Sequence, residues 1–389
     1  MNFRNMSPHF IACALVFFLL PQQGLSQQNS GAAKTPQPAA ERDGQHDFDP
    51  LFGSWRVHIK RRTHPLAGSN EWVEFDGTIV YKKIWDGRAN FSEVEINGGG
   101  LHVEGVTVRT YNPQTHQWRL YWASSKDGIL APPQVGEFRN GRGQFFAQDT
   151  WNDKGILVRY IWSNFAKGVP HFEQAFSEDG GETWEVNWIS DQTRIPDESV
   201  KSESVSADTR TADANTQTAA SASGERDGQH DFEPLLGDWK YHLKRRLNPL
   251  TGSTTWVDLN GTGRCYKVWN GRAALDTVEL DGSTGHIEGL TLRLYNPQTH
   301  DWRLYWANSK DGKVDVPQIG KFRDGHGEFY AQDMYSNKTV FVRFDWTGTT
   351  SSSPHFEQSF SEDGGKTWEV NWITDQTRPI DESDSAKER

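Results

Sequence analysis

Cysteine is nearly absent. Of 389 residues only Cys13 and Cys265 are cysteine, and Cys13 falls inside an N-terminal apolar run. Cys265 is then left without an internal partner, which excludes a disulfide framework and implies no thiol chemistry. Long apolar runs are also missing: the stretch Phe10 to Leu20, FIACALVFFLL, is 11 residues, against about 20 for a membrane-spanning helix. No excess of positive charge is present either. Lys and Arg number 41 against 52 acids, a net charge of −11, with no basic stripe to neutralise phosphates, so nucleic acid is excluded as a partner. No window holds helical i, i+3, i+4 spacing for three turns. Nucleophile elbow, HExxH, phosphate loop and dinucleotide fingerprint are all lacking, so no cofactor is implied and the reading leans away from an enzyme.

What is present begins with an export signal. Arg4, the apolar run and Gly24-Leu25-Ser26, with small residues at the positions a signal peptidase tolerates, predict a signal peptide over 1–26 and a periplasmic or secreted product with no membrane span in the mature chain. Residues 27–40, QQNSGAAKTPQPAA, read as a disordered tether. The remainder is one domain written twice. ERDGQHDF at Glu41 to Phe48 returns at Glu225 to Phe232, a shift of 184 that then never changes: Trp72 matches Trp256, His102 matches His286, and Trp184 matches Trp368. The copies span 41–194 and 225–378, separated by a Ser/Thr/Ala/Asp-rich linker over 195–224 and followed by a disordered tail over 379–389. All 17 Trp lie inside the copies, nine in the first and eight in the second, so the aromatic mass belongs to two cores. The unchanging shift and the featureless linker predict two independently folding domains.

Period-two alternation dominates each copy. In the first it predicts ten strands, near 54–63, 72–84, 89–96, 101–111, 117–124, 134–139, 143–151, 156–163, 170–177 and 183–191, separated by turn formers such as Asp86-Gly87 and Asn140-Gly141. The fold class expected is all-β: two tandem up-and-down β-barrels of about ten strands, in preference to sandwiches because the hairpins are short and sequential. Where both copies agree on the apolar parity, Trp55, Val57 and Ile59 face inward, as do Trp118, Leu120 and Trp122; Val158, Tyr160 and Trp162; and Trp184, Val186 and Trp188. The same rule turns His102, Glu104, Val106 and Val108 inward, with His286, Glu288, Leu290 and Leu292 as their twins.

Leu51-Phe52-Gly53-Ser54-Trp55 and Leu235-Leu236-Gly237-Asp238-Trp239 resemble the Gly-x-Trp opening of lipocalins and their calycin relatives. Those barrels pair the Trp with a cation after the last strand, which implies that role for Arg194 and Arg378. Each whole copy also resembles an uncharacterised family of bacterial secreted proteins with the pattern GQHDF-x-PL-x-G-x-W, grouped with calycin-like barrels, and ten strands place it nearer the fatty-acid-binding or nitrobindin-like branch. Ser177 to Trp184 and Ser361 to Trp368 match the S-x-D-x-G-x-T-W Asp-box of sialidase propellers. One Asp-box per copy lacks a propeller's period, so it is expected to be a rigid hairpin with its Trp packed beneath.

The function expected is exported binding of a small apolar or amphipathic ligand in an aromatic-lined lumen. The lining residues would be Arg61, His102, Glu104, Trp122, Tyr160 and Trp188 in the first copy, and Arg245, His286, Glu288, Trp306, Phe344 and Trp372 in the second. Arg61 and Arg245, inward at the far end of the first strand, suit an anionic group. An alternative is a metal-assisted enzyme: two His and a carboxylate would need the H-x-E spacing plus a distant His, for which His171 and His355 are candidates. No metal is assigned, since a hydrogen-bonded pair is the commoner use of H-x-E. Another alternative is a non-catalytic interaction module with solid cores. His46 and His230 are expected to cap the barrel floor.

Overall fold

The computed structural model describes residues 42–98, 101–196 and 227–379. The segments expected to be signal peptide and tether lie outside the described residues, as do those expected to be linker and tail apart from their edges. Each copy is a closed antiparallel barrel of ten sequential strands. The first comprises β1 (Gly53–Arg62), β2 (Trp72–Ile84), β3 (Ala89–Gly98), β4 (Leu101–Asn112), β5 (Gln117–Ser124), β6 (Gln134–Arg139), β7 (Arg142–Trp151), β8 (Lys154–Ser163), β9 (His171–Ser177) and β10 (Glu185–Arg194). The second repeats this from β11 (Gly237–Arg246) through β14 (Gly285–Asn296) to β20 (Glu369–Thr377). Closure pairs β1 with β10, Trp55 opposite Arg194, and leaves no unpaired edge.

One end of each barrel is a floor. The segment before β1 folds across it, with Phe48 fully buried and packed edge-on against Trp118 and Phe138. Trp118 Nε1 donates to the Gly44 carbonyl at 2.9 Å, and the Tyr111 hydroxyl donates to Asp43 at 2.8 Å. His46 rides on this segment, 3.1 Å from Asp49. Trp55 anchors the same end: its indole donates to the Leu51 carbonyl, and the Arg194 guanidinium lies 4.2 Å from the ring centroid while donating to the carbonyls of Phe52 and Pro50. Arg378 stands likewise 3.5 Å over Trp239. Glycine opens the motif for a physical reason. Gly53 has φ +107°, and a Cβ there would meet Arg194 Nη1 at 2.9 Å.

The barrels do not stand apart; they meet through matching faces, related by the same shift of 184. Arg88 donates to both Glu288 oxygens at 2.8 and 2.6 Å, and its twin Arg272 donates to Glu104. The Val314 amide donates to the Tyr121 hydroxyl at 3.2 Å, and the Leu130 amide to Tyr305 at 3.1 Å. Between these pairs lies a shared apolar cluster that includes Trp85, Phe91, Val106 and Val108 from one barrel and Trp269, Leu275, Leu290 and Leu292 from the other. Such exchange, residue i to j and j to i, is the geometry of a two-fold dimer contact, here within one chain.

Two strands of the first copy, β10 and β4, turn other sides inward than alternation predicts, and β10 does so through a bulge. Trp184 is outside the barrel: its indole donates to the Gly181 carbonyl, Arg159 stacks over it at 4.4 Å, and half-exposed Phe146 is its ring neighbour. Val186 also faces out, opposite Ala175. Trp188 faces in, because a bulge between Val186 and Trp188 inserts a residue and reverses the parity. The Asp-box itself forms the expected hairpin, with Asp179 accepting from the Thr183 amide and hydroxyl.

Candidate functional site

Opposite the floor, the lumen opens at the mouth. In the second barrel it holds a cavity of about 740 Å³ bordered by Arg245, Trp306, Phe344 and Trp372. Trp306 can lie across this space because its neighbour is glycine: a Cβ on Gly289 would sit 2.0 Å from the indole. In the first barrel Trp122, Tyr160 and Trp188 occupy the same inward positions, packed against the core yet only partly buried. Arg61 and Arg245 share the inward side with Trp188 and Trp372, their register partners at the mouth.

The H-x-E residues do not line the lumen as expected. Inward on β4 are Val103, Thr107, Arg109 and Tyr111, so His102, Glu104, Val106 and Val108 face outward; in β14, Ile287, Thr291 and Arg293 face the cavity, while His286 and Glu288 reach only its rim. The apolar stripe of β4 is buried against the other barrel, not within its own. Glu104 and Glu288 are engaged in the inter-barrel ion pairs. Burial pushes the Glu288 carboxyl up, but the Arg88 and Ser309 hydrogen bonds outweigh this and hold it below the ordinary value. His102 pairs with Asn97 at 2.7 Å and His286 with Asp281 at 2.8 Å, both half-exposed. His171 and His355 are bound to Asp191 and Asp375 at 2.6 and 2.7 Å. They start a strand at the floor end, whereas His102 starts one at the mouth, so the two cannot share a metal. Among the described residues, His326, Glu328 and Asp345 do come together, but on the outer face of the second barrel, where His326 Nε2 is 2.6 Å from Asp345.

Sequence reasoning missed the polar groups at the base of the lumen. Arg293, 2% exposed, donates to Asp276 at 3.0 Å, and the Tyr241 hydroxyl donates to the same carboxylate at 3.0 Å. Arg109, 3% exposed, is the twin of Arg293 but donates to Asn90 and Ser92, and its guanidinium lies 5.3 to 5.5 Å from the rings of Phe48, Tyr81 and Trp162. The available signal was an Arg at the same parity as Tyr111, the partner of inward Trp118. Burial pushes the Cys265 thiol up to about 12, which removes it from thiolate chemistry.

Asp315, at the cavity mouth, is raised to about 6 by burial, with the Asp333 charge adding and Lys313 opposing. The folded state therefore holds this proton more tightly than an unfolded chain, where Asp titrates near 3.9. Its contribution to stability is full below the unfolded value and is lost as pH rises through about 6. Thermal melts of wild type and Asp315→Asn between pH 4 and 7 should show a decline in the wild type that the variant flattens; parallel curves would contradict the assignment.

No family model and no curated protein matches the chain. Among solved structures, an S-type phycobiliprotein lyase from Guillardia theta is 12% identical with a TM-score of 0.30, over 41% of this chain and 96% of its own. A protein of unknown function from the DUF3598 family of Nostoc punctiforme is 10% identical with a TM-score of 0.22, over 87% of this chain and 100% of its own. Transferrin binding protein B of Haemophilus parasuis is 7% identical with a TM-score of 0.16, over 84% of this chain and 76% of its own. At these scores none carries an argument about what this chain binds.

Proposed function

We propose that the protein is an exported carrier in which each barrel takes a small apolar or amphipathic ligand through its mouth, and that it is a calycin-like pair. The observation that carries this reading is the cavity of about 740 Å³ in the second barrel, within the range of roughly 300 to 1,000 Å³ usual for small-molecule sites and walled by aromatics above a few polar groups. The Arg194 and Arg378 stacks on the Gly-x-Trp indoles support the calycin relation, and the N-terminal sequence supports export. The metal-assisted alternative loses its basis with the outward H-x-E pair. A solid-core module does not fit a barrel containing that cavity.

The test is direct binding of the uncharged fluorophore N-phenyl-1-naphthylamine to the full chain. Its emission should rise, excited in part by energy transfer from Trp306 and Trp372. Thr291→Phe, which fills the cavity from β14, should remove the second barrel's share while leaving the melting temperature within a few degrees. Binding unaffected by Thr291→Phe, or none at all, would sink the carrier reading for that barrel.

A further inference from the structure

The two lumens differ where a ligand's head would rest. Arg109 and Arg293 occupy the same position, both buried. Arg293 is neutralised by Asp276. The matching residue in the first barrel is Ser92, and among the described residues Arg109 makes its bonds only to neutral oxygens, Asn90 Oδ1 at 3.0 Å and Ser92 Oγ at 3.1 Å. A buried charge without a counter-charge is costly and is ordinarily answered by an ion pair. The orphaned atoms point the same way. Among the described residues Arg109 Nε and Arg293 Nε are both buried donors without a partner and cancel, but Asn90 Nδ2 is such a donor in the first barrel alone, where the bond from Arg109 to Asn90 Oδ1 fixes the amide so that its NH2 is the free group. Ala274 replaces Asn90 in the second barrel, where Gln376 Oε1 is an orphaned acceptor; the matching Gln192 is satisfied by the Tyr81 hydroxyl. Gln134 and Gln318 leave the same acceptor in both copies and cancel. Arg61 and Arg245 stand at both mouths and cancel too. At the rim the second barrel has Asp315 and Lys313 where the first has Ala131 and Ile129, a pair of opposite charges.

From this asymmetry we propose that the first barrel binds an amphiphile with an anionic, acceptor-only head such as a carboxylate, seated against Arg109 and Asn90, while the second barrel takes an uncharged ligand. This rests on the carrier reading above. The chain would then carry two ligands of different charge class, one function per copy of the duplication.

The experiment displaces N-phenyl-1-naphthylamine from the full-length protein with decanoate and with decan-1-ol at neutral pH. Decanoate should empty one site per chain at about tenfold lower concentration than the alcohol, the scale of a hydrogen bond to a charged group. Ser92→Asp, which gives Arg109 the partner that Arg293 has, should abolish that preference and leave displacement by the alcohol unchanged. The reciprocal Asp276→Ser should raise the decanoate-preferring sites from one to two. Equal displacement by both ligands in the wild type, or a preference that survives Ser92→Asp in a folded variant, overturns the charge assignment while the carrier reading stands. If the fluorophore itself does not bind, the carrier reading falls, and this inference with it.

Discussion

Cutting the chain between the barrels should not separate them. With a protease site engineered between residues 197 and 226, the two halves are expected to co-elute after cleavage, because the apolar cluster around Val108 and Leu292 and the reciprocal pairs Arg88–Glu288 and Arg272–Glu104 hold them. The apolar part supplies affinity, and the charged pairs fix register. Val108→Asp together with Leu292→Asp buries two carboxylates without partners in that cluster. It should weaken association by at least about hundredfold, roughly 3 kcal/mol, so that the cleaved halves elute apart. Each half is still proposed to fold, since each has its own closed barrel and its own core. The first half alone, deprived of its partner, is expected to pair with itself through the same face, as the matched geometry allows. Halves that elute separately without any substitution would show the interface to be incidental.

Removing the floor tryptophan should have the largest effect on stability. Trp55 is 2% exposed, donates to the Leu51 carbonyl and lies beneath Arg194, so Trp55→Ala leaves a large cavity and an unmet carbonyl where the strands close. The expected loss is about 3 to 5 kcal/mol in denaturant unfolding. Arg194→Ala removes the ring contact and two hydrogen bonds from an exposed guanidinium, and the loss should be smaller, about 0.5 to 2 kcal/mol. An unchanged midpoint for Trp55→Ala would mean that the Gly-x-Trp motif does not bear on folding. Trp239→Ala should act in the same way on the second barrel, giving two separable transitions if the interface does not couple them.

The strand list, the repeat and the floor were legible in the sequence because each depends on local signals. Alternation of period two marks a strand, turn formers mark its ends, and an unvarying shift of 184 marks a duplication whatever the fold. The Trp and Arg of the floor could be placed together because closing a meander necessarily brings its last strand beside its first. Alternation shows that one face of a strand is buried, but not what buries it. On β4 the apolar face, Val106 and Val108, is covered by the other barrel, so the polar face, Thr107 and Arg109, turns into the lumen and carries His102 and Glu104 to the outside. In β10 one bulged residue places Trp188 on the opposite side of the wall from Trp184, which lies four residues earlier, just before the strand. The sequence by itself determined two ten-stranded meanders with tryptophan floors. Only the tertiary structure decided that they are joined face to face and that Arg109, unlike Arg293, is buried without a carboxylate, because both depend on which distant surface covers a given side chain.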